Sequence, residues 1–412
     1  MRPAFSRSAR RHALPALLLL AALASPAAQA TEPFTLTLDI LGRRMSGSGH
    51  DAMALLKLLQ PGSAATAALP PPGLPYTVSL MARGVAIRFD IAAVTGAIRL
   101  RVPAAGVDIT FNSGSPVASR DALIHFIQGQ GDREALKRIM SAAVRTTTLD
   151  PVAGAPTAML ERTAVADFNL GLLPPGDAGD MTPRAAGWHA ALGAAFMAQR
   201  EDTPSTTVPM LPLSLSYAFG EDGPEALFDL QLERGNTGGG KRASASGALG
   251  VRLPLLTTPD LRWSVTPALR LGAVSSAWLA AAARVQGAAV TSDLRIALPG
   301  EMVLALGSGV GHYQTRPMKL RNYDVLYELD NTAWRNSASL SWPMGRVADR
   351  PLRMAAGIAD TRLNGHDTAV PSWQEYSLSA VLGRAQPVRL SLGYLAGEGG
   401  YHAFQAGLSV AF

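Results

Sequence analysis

The sequence predicts an all-β transmembrane barrel of about twelve antiparallel strands, preceded by a small α+β domain. Residues 186–412 break into short runs in which apolar residues alternate with small or polar ones. A period of two residues is that of a strand with one apolar face. The connections between these runs alternate between short and long, as they do in barrels that span a membrane. The chain also begins with an export signal and contains no cysteine.

The first thirty residues have the parts of a secretory signal peptide. Four arginines precede the apolar stretch ALPALLLLAALA, and residues 28–30 are AQA, an A-x-A cleavage site. The apolar stretch is too short for a stable transmembrane helix. We therefore expect the mature chain to begin at Thr31 and assign residues 1–30 to the signal peptide.

The charge balance gives no reason to expect a nucleic-acid partner. The chain has 37 Lys and Arg against 31 Asp and Glu, and the signal peptide removes four arginines but no acid. The mature chain is therefore close to neutral. Without cysteine, an exported chain of this size holds together without disulfides. No run after the signal approaches the ~18 uninterrupted apolar residues of a membrane-spanning helix.

Residues 31–150 are predicted to form the α+β domain. The predicted strands are FTLTLDIL (34–41), two runs within YTVSLMARGVAIRFDI (76–91), IRLRV and VDITF. The two runs change parity near Gly84, which indicates a bulge or a turn. A short helix is predicted from Asp51 and a second helix from Asp132, each with the aspartate as N-cap and apolar residues at helical spacing.

Residues 151–185 are predicted to connect the domain to the barrel. The segment TAMLERTAVADFNLGL (157–172) has the pattern of an amphipathic helix, and LPPGDAGDMTPR, from Leu173, has the composition of a linker. The helix is expected either to enter or cap the barrel lumen or to pack on the small domain. In the lumen, Glu161 and Asp167 would meet basic residues of the wall.

An even number of strands in residues 186–412 brings both ends of the barrel to the same side. Short turns are expected at GEDGPE, TTPD, PGE, MGRVADR and RAQP. Longer loops are expected between Arg234 and Arg242, Val274 and Gly287, Thr315 and Asn331, and Arg362 and Trp373. Outward aromatic residues near the short turns are expected to form a girdle at one membrane interface: Trp188, Phe219, Phe228, Trp263, Trp342 and Phe412. The opposite rim is expected to carry Trp334, Tyr376 and Tyr394.

The last strand resembles that of a known class of proteins. In YHAFQAGLSVAF, every second residue from the end is apolar: Phe412, Val410, Leu408, Ala406 and Phe404. This run resembles the C-terminal strand of Gram-negative outer-membrane β-barrels, in which a final aromatic residue is part of the signal read by the barrel-assembly machinery. The resemblance implies a location in the cell outer membrane, contact with outer-membrane lipid, and an assembly signal at Phe404, Leu408, Val410 and Phe412.

A barrel of twelve strands preceded by a helix also resembles the translocator domains of autotransporters, and gated export barrels with a periplasmic domain. The segment before the helix departs from the usual passenger of an autotransporter, because it is short, α+β and without repeated β-helix rungs. This favours a domain that stays in the periplasm, while a plug in the lumen or a surface-exposed domain remains open.

Arginines on the inward parity are the candidate lumen and selectivity residues: Arg252, Arg262, Arg270, Arg295, Arg353 and Arg389. An arginine-lined mouth attracts anions and repels cations. The alternative is that the inward arginines pair with acids of the same faces and fill a narrow lumen. The acids available for such pairs are Asp229, Glu233, Asp293 and Glu375.

These features predict an outer-membrane channel or export pore, anion-preferring and gated by its N-terminal domain, for a small anionic solute or an exported polypeptide. The alternatives are an autotransporter-like translocator and a non-conducting surface adhesin that uses its long loops. Ser308 and His312 share one parity of a strand but lie ~13 Å apart, too far to act as a catalytic pair. No metal, cofactor or catalytic motif stands out, and we expect no enzyme activity.

Overall fold

The computed structural model describes residues 33–40, 43–49, 51, 74–173, 181, 185–199, 205–321, 323–384 and 386–412. The predicted signal peptide, the helix predicted after Asp51 and most of the predicted linker lie outside the described residues. Within the described part, the chain forms a six-stranded sheet and a larger sheet that closes into a barrel.

The N-terminal sheet is antiparallel, with the strand order β2-β1-β3-β4-β5-β6. Its strands are β1 (Phe34–Ile40), β2 (Arg43–Gly49), β3 (Tyr76–Ala82), β4 (Val85–Ile91), β5 (Ile98–Val102) and β6 (Val107–Phe111). The parity change near Gly84 is a two-residue turn, in which Arg83 and Gly84 have φ of 49° and 82°. Tight hairpins of this kind need positive φ at both turn residues, which glycine adopts without strain.

Three helices follow the sheet: α1 (Pro116–Ile127), α2 (Arg133–Thr146) and α3 (Met159–Gly171). α2 begins where the sequence predicts, because the Asp132 carboxylate accepts a hydrogen bond from the Ala135 N–H at 3.0 Å. α1 is not among the predicted helices, although Ser115 caps it and Pro116 opens its first turn. Among the described residues, no helix is both long and apolar enough to cross a bilayer.

Twelve antiparallel strands form a closed barrel, which confirms the predicted fold class. They are β7 (Gly187–Gln199), β8 (Thr206–Ala218), β9 (Glu225–Thr237), β10 (Gly240–Thr257), β11 (Leu261–Ser276), β12 (Ala281–Leu298), β13 (Met302–Leu320), β15 (Asp330–Val347), β16 (Arg350–Gly365), β17 (Ser372–Leu382), β18 (Val388–Gly397) and β19 (His402–Ala411). A short strand, β14 (Tyr323–Val325), pairs with β13 within the loop that precedes β15. The barrel closes where the last strand, β19, pairs with the first, β7.

The outer surface of the barrel is apolar, because one parity of each strand points away from the lumen. Leu249, Leu269 and Leu271 are 65%, 67% and 70% exposed. The aromatic residues expected on this surface near the short turns are exposed at Trp188, Phe219, Phe228, Trp263 and Phe412, while Trp342 is half-buried. So many exposed apolar side chains are typical of a surface that faces lipid.

The connections confirm the predicted short turns, at residues 219–224, 258–260, 299–301, 348–349 and 383–387. We call the end of the barrel that holds these turns the turn end and the opposite end the loop end. The long loops expected after Arg234 and Val274 are wrong, because β9 and β10 are joined by two glycines alone and β11 and β12 by residues 277–280. The strands there are longer than expected, and their small and polar residues resemble loop composition.

The α+β domain packs on the loop end of the barrel. Arg83 donates hydrogen bonds to Asp150 (2.6 Å) and to the Tyr327 hydroxyl (2.8 Å), and Tyr327 donates to Asp150 at 2.6 Å. All three side chains are buried, and burial raises the pKa of Tyr327 above its ordinary value. Farther out, Lys137 of α2 pairs with Glu328 at 2.8 Å. The domain therefore contacts the loop between β13 and β15 through residues 324–328, and it also contacts the loop between β16 and β17, where the Ala369 N–H donates to the Val144 carbonyl at 3.0 Å.

Residues 149–158, between the domain and α3, are buried throughout. The backbone of this segment is bonded to a barrel loop, since the Gly154 carbonyl accepts from the Val370 N–H at 2.9 Å. Val152 belongs to the same hydrophobic core as Tyr327 and Trp373 of the barrel. Protein atoms thus fill the lumen at the loop end.

Candidate functional site: an occupied lumen

α3 runs through the lumen from the loop end to the turn end. Before the helix, the Thr157 carbonyl accepts a hydrogen bond from Arg242, which lies near the start of β10. Beyond its end, the Leu173 N–H donates to Asp293 of β12 at 3.3 Å. Ten of the thirteen helix residues are buried, and a helix buried on nearly all faces lies inside a structure. Of the two positions expected for this helix, the lumen is the one observed.

Arg270 of β11 is the centre of the contacts between wall and helix. Its Nε lies 2.5 Å from Asp167 of α3, and its Nη2 lies 2.7 Å from Asp229 of β9. A third donor, Nη1, reaches Ser246 at 3.1 Å, and the Tyr313 hydroxyl donates to Asp167 at 3.0 Å. Arg270 is only 1% exposed. Because removing one partner of a buried ion pair leaves an uncompensated charge, this cluster fixes where α3 sits.

A second ion pair holds the first half of α3. Arg162 of the helix pairs with Glu233 of β9 at 2.6 Å, and Ser244 of β10 donates to the same carboxylate at 2.6 Å. Glu161, by contrast, does not reach the arginines expected from the sequence; its carboxylate accepts from the Gly154 N–H at 2.7 Å. The expectation that helix acids meet wall arginines therefore holds for Asp167.

The C-terminus of α3 is held by an arginine of β10. Arg252 pairs with Glu225 and donates to the carbonyl groups of Leu170 and Leu172. The last carbonyls of a helix have no partner within it and carry partial negative charge, so a cation there is stabilising. Arg252 thus binds the helix end rather than a mobile anion.

The Phe168 ring of α3 packs against two glycines of β13. A Cβ atom placed on Gly307 or Gly309 would lie 2.8 Å from the Phe168 ring, closer than side-chain carbons approach. The ring centre also lies 5.3 Å from the Arg335 guanidinium, which pairs with Glu375 at 2.8 Å. The two glycines therefore make the groove in which the ring packs.

The opposite side of the helix faces a cavity of about 220 Å³. Asn169, an exposed residue of α3, lines it together with Ser214 and Ser216 of β8 and Ser409 of β19. The wall of the cavity combines these hydroxyl groups with apolar residues such as Pro212 and Leu227. The lumen is consequently filled on one side of α3 and partly open on the other.

The remaining candidate lumen arginines lie toward the turn end. Arg262 pairs with Asp222, Arg295 lies 3.2 Å from Asp293, and Arg353 donates to the Glu301 carbonyl at 2.7 Å. Arg389 of β18 is half-buried, and no carboxylate among the described residues pairs with it. The pairs expected for Asp229, Asp293 and Glu375 with wall arginines are present, whereas Glu233 pairs with the helix. A role of these arginines in selectivity stays a prediction.

Sequence reasoning missed three members of the site: Arg162, Phe168 and Tyr313. The available signal was the pair of charged residues Arg162 and Asp167 in a segment that otherwise looks like an amphipathic helix. Tyr313 gave no signal, because an inward tyrosine on a long strand is common in any small barrel.

The residues considered for catalysis lie on the outer surface. Ser308 donates to Asn336 at 2.8 Å, and His312 lies 3.3 Å from Asp330. In the part of the chain that the structure describes, no three His, Asp or Glu residues come together as a metal site. On the terminal strand, Phe404 and Phe412 point outward, 56% and 62% exposed, and their role in assembly remains a prediction.

No protein-family model and no curated protein sequence matches this chain. Among solved structures, the β-domain of the Bordetella autotransporter BrkA is similar to it, with 16% identity, a TM-score of 0.41, and coverage of 55% of this chain and 99% of that one. The translocator domain of the autotransporter NalP from Neisseria meningitidis is similar at 15% identity and a TM-score of 0.39, covering 61% of this chain and 96% of that one. An outer-membrane channel from Pseudomonas putida F1 is similar at 12% identity and a TM-score of 0.40, covering 58% and 98%. These are likenesses of the barrel alone.

Proposed function

We propose that this protein is an autotransporter-like translocator that displays its own N-terminal domain on the outer face of the outer membrane. The observation that carries the proposal is the path of the chain. The α+β domain lies at the loop end, α3 passes through the lumen, and β7 begins at the turn end. A chain that follows this path has its N-terminal domain on one side of the membrane and the start of its first barrel strand on the other.

The orientation follows from the lengths of the connections. In outer-membrane barrels the short turns face the periplasm. The turn end would then be periplasmic and the α+β domain would lie outside the cell, which reverses the periplasmic location expected from its short α+β sequence. The exported polypeptide would be the protein's own residues 31–150. The terminal strand keeps its proposed role as the signal for the barrel-assembly machinery.

The barrel would remain closed after this passage. The ion pairs of Arg270 and Arg162 and the packing of Phe168 attach α3 to the wall, and the buried segment 149–158 fills the loop end. A solute would be excluded from this side of α3, and the cavity on the other side would be closed at the loop end by residues 149–158. The proposed product is a sealed barrel with a small domain presented at the cell surface.

Single cysteines in this cysteine-free chain test the proposal directly. Val94→Cys places a thiol on the α+β domain at a residue that is 90% exposed, and Glu221→Cys places one in an exposed turn at the turn end. A membrane-impermeant maleimide is expected to label Val94→Cys on intact cells, and Glu221→Cys only after the outer membrane is permeabilised. Labelling in the opposite order would place the domain in the periplasm and overturn the proposal.

A gated anion channel is the second candidate, favoured by the cavity beside α3 and by the arginines at the turn end. In that case α3 is a gate, and a variant that detaches it would conduct anions in a planar bilayer while the unmodified chain is closed. A sealed translocator predicts the same closed state for the unmodified chain. The two candidates differ in whether any physiological condition opens it, such as voltage applied across the bilayer.

A further inference from the structure

The lipid-facing surface of β10–β13 contains a groove. A space of about 680 Å³ lies over Ala288 of β12, between Leu269 and Leu271 of β11 on one side and His312 of β13 on the other. A second depression of about 570 Å³ continues it toward the turn end, past Val290. The small side chain of Ala288 leaves this space open between the larger side chains of Leu269, Leu271 and His312. The walls are mainly apolar, which is the chemistry that an acyl chain requires.

Two arginines lie above this groove, toward the loop end. Arg284 of β12 and Arg316 of β13 are directly opposite each other in the strand register, and both side chains are exposed on the outer face. Residues so placed have Cβ atoms about 5 Å apart, and like charges there are destabilising. The pair therefore carries an unfavourable charge concentration that an anion would relieve.

The surrounding groups leave that charge uncompensated. Arg316 donates to the Gln314 side chain at 2.9 Å, and no carboxylate among the described residues pairs with either arginine. Asp330, an exposed acid opposite Gln314 in the strand register, is engaged by Gln314 at 2.9 Å and by His312 at 3.3 Å. Elsewhere on the outer surface, Arg362 is paired with Asp360 at 3.0 Å. Arg284 and Arg316 thus differ from Arg362 in having no carboxylate partner among the described residues.

We propose that the groove and the arginine pair together bind a glycolipid whose headgroup carries phosphates. Arg284 is four residues from Ala288, or about 13 Å along the strand, which separates a headgroup site from an acyl-chain site by a suitable distance. Guanidinium groups bind phosphate through paired charge-assisted hydrogen bonds. The choice of a glycolipid over a glycerophospholipid rests on the proposed function, because it requires that the loop end lie in the outer leaflet.

Binding is measured with the purified full chain in detergent micelles, with diphosphoryl lipid A as the probe and native mass spectrometry as the readout. The double variant Arg284→Gln/Arg316→Gln removes the phosphate contacts, and Ala288→Phe fills the groove. The double variant is expected to weaken lipid A binding about tenfold or more, since hydrogen bonds to charged groups are the strong ones. Ala288→Phe is also expected to weaken binding, because its ring would occupy the space proposed for the acyl chain. Arg362→Gln is the matched control and is expected to bind like the unmodified protein. All four positions are on the outer surface, and heat-modifiable gel mobility verifies that each variant forms a barrel.

Three results would overturn the proposal. The first is equal binding by the double variant and Arg362→Gln, the second is equal affinity for phosphatidylglycerol and lipid A, and the third is displacement of lipid A by equimolar inorganic phosphate. The assay in micelles has no inside or outside, so its failure leaves the cysteine-labelling result standing. A periplasmic Val94, with lipid A binding intact, would instead overturn the orientation.

Discussion

The two sides of the lumen wall contact α3 in different ways. On β10–β13 and β15, which we call the helix-facing wall, inward side chains such as Arg270, Thr291 and Arg335 are buried against the helix. On β7, β8, β18 and β19, the cavity-facing wall, inward Ser391 and Ser409 stay half-exposed. Among the described residues, the bonds of α3 itself are therefore to the helix-facing wall and β9. The cavity-facing wall is bonded to the segment before the helix, where the Thr157 hydroxyl donates to Gln199 of β7 at 3.1 Å. A plug attached along one wall can be tightly held without filling the whole lumen.

The largest effect is expected from Arg270→Met on the helix-facing wall. The substitution leaves the buried carboxylates of Asp167 and Asp229 without their cation, and the free energy of unfolding should fall by about 4 kcal/mol. Urea unfolding of the barrel in lipid vesicles measures this change. Because Asp167 also holds α3 in place, conductance in a planar bilayer should rise in parallel.

Arg389→Met is the matched control on the cavity-facing wall. No carboxylate among the described residues pairs with Arg389, and Arg295 repels its charge, so the same substitution should not lower the free energy of unfolding by more than about 0.5 kcal/mol. An equal loss in free energy of unfolding for Arg270→Met and Arg389→Met would mean that the contacts of the helix-facing wall contribute no more to stability than those of the cavity-facing wall.

Adjacent residues of α3 provide a second test of the contrast between the walls. Phe168 is 3% exposed against the helix-facing wall, whereas Asn169 faces the cavity. Phe168→Ala should lower the free energy of unfolding by about 3 kcal/mol, because it removes a buried ring and leaves a void against Gly307 and Gly309. Asn169→Ala should change it by less than about 0.5 kcal/mol. Urea titrations of both variants measure this difference, and an unchanged dependence of the free energy on urea concentration would attribute it to packing. Similar losses of free energy in the two variants would contradict the contrast between the walls.

The barrel was predictable from the sequence because a two-residue period, repeated between turns, depends only on local order. The inward parity of Arg270 follows from the same pattern. The sequence also indicates that Asp167 would meet a basic residue of the wall, but it does not say which one, because Asp167 is 103 residues from Arg270 in the chain and lies on a separate element. The side of the membrane on which the domain lies depends on the path of α3, and composition alone carries no information on that path. The end of the strand after Arg234 was predicted too early, because small polar residues occur both in loops and in the parts of strands that extend out of the membrane.

The smallest effect concerns the interface between the α+β domain and the loop that joins β13 to β15 on the helix-facing wall. Burial raises the pKa of Tyr327, so the folded state keeps the phenol proton more strongly than the unfolded chain does. The stability contributed by Tyr327 is complete below its ordinary pKa of about 10 and is lost as the pH rises above that value. Between pH 10 and 11 the loss is about 1 kcal/mol, less than the ~1.4 kcal/mol per pH unit of a full proton, because the unfolded phenol is only half deprotonated at pH 10.

Hydrogen exchange of residues 74–158 at pH 9 to 11 measures this loss, because these residues become less protected as the interface weakens. Lys137 also titrates here, since hydrogen bonds to Glu134 and Glu328 raise its pKa, and its contribution is likewise lost as the pH rises. The comparison therefore uses Lys137→Arg as the background, in which position 137 keeps its charge. Adding Tyr327→Phe to that background should weaken the interface at pH 9 and flatten the change between pH 10 and 11. An unchanged pH profile in the double variant would show that Tyr327 does not titrate at this interface, and that the loop end is held by apolar packing alone.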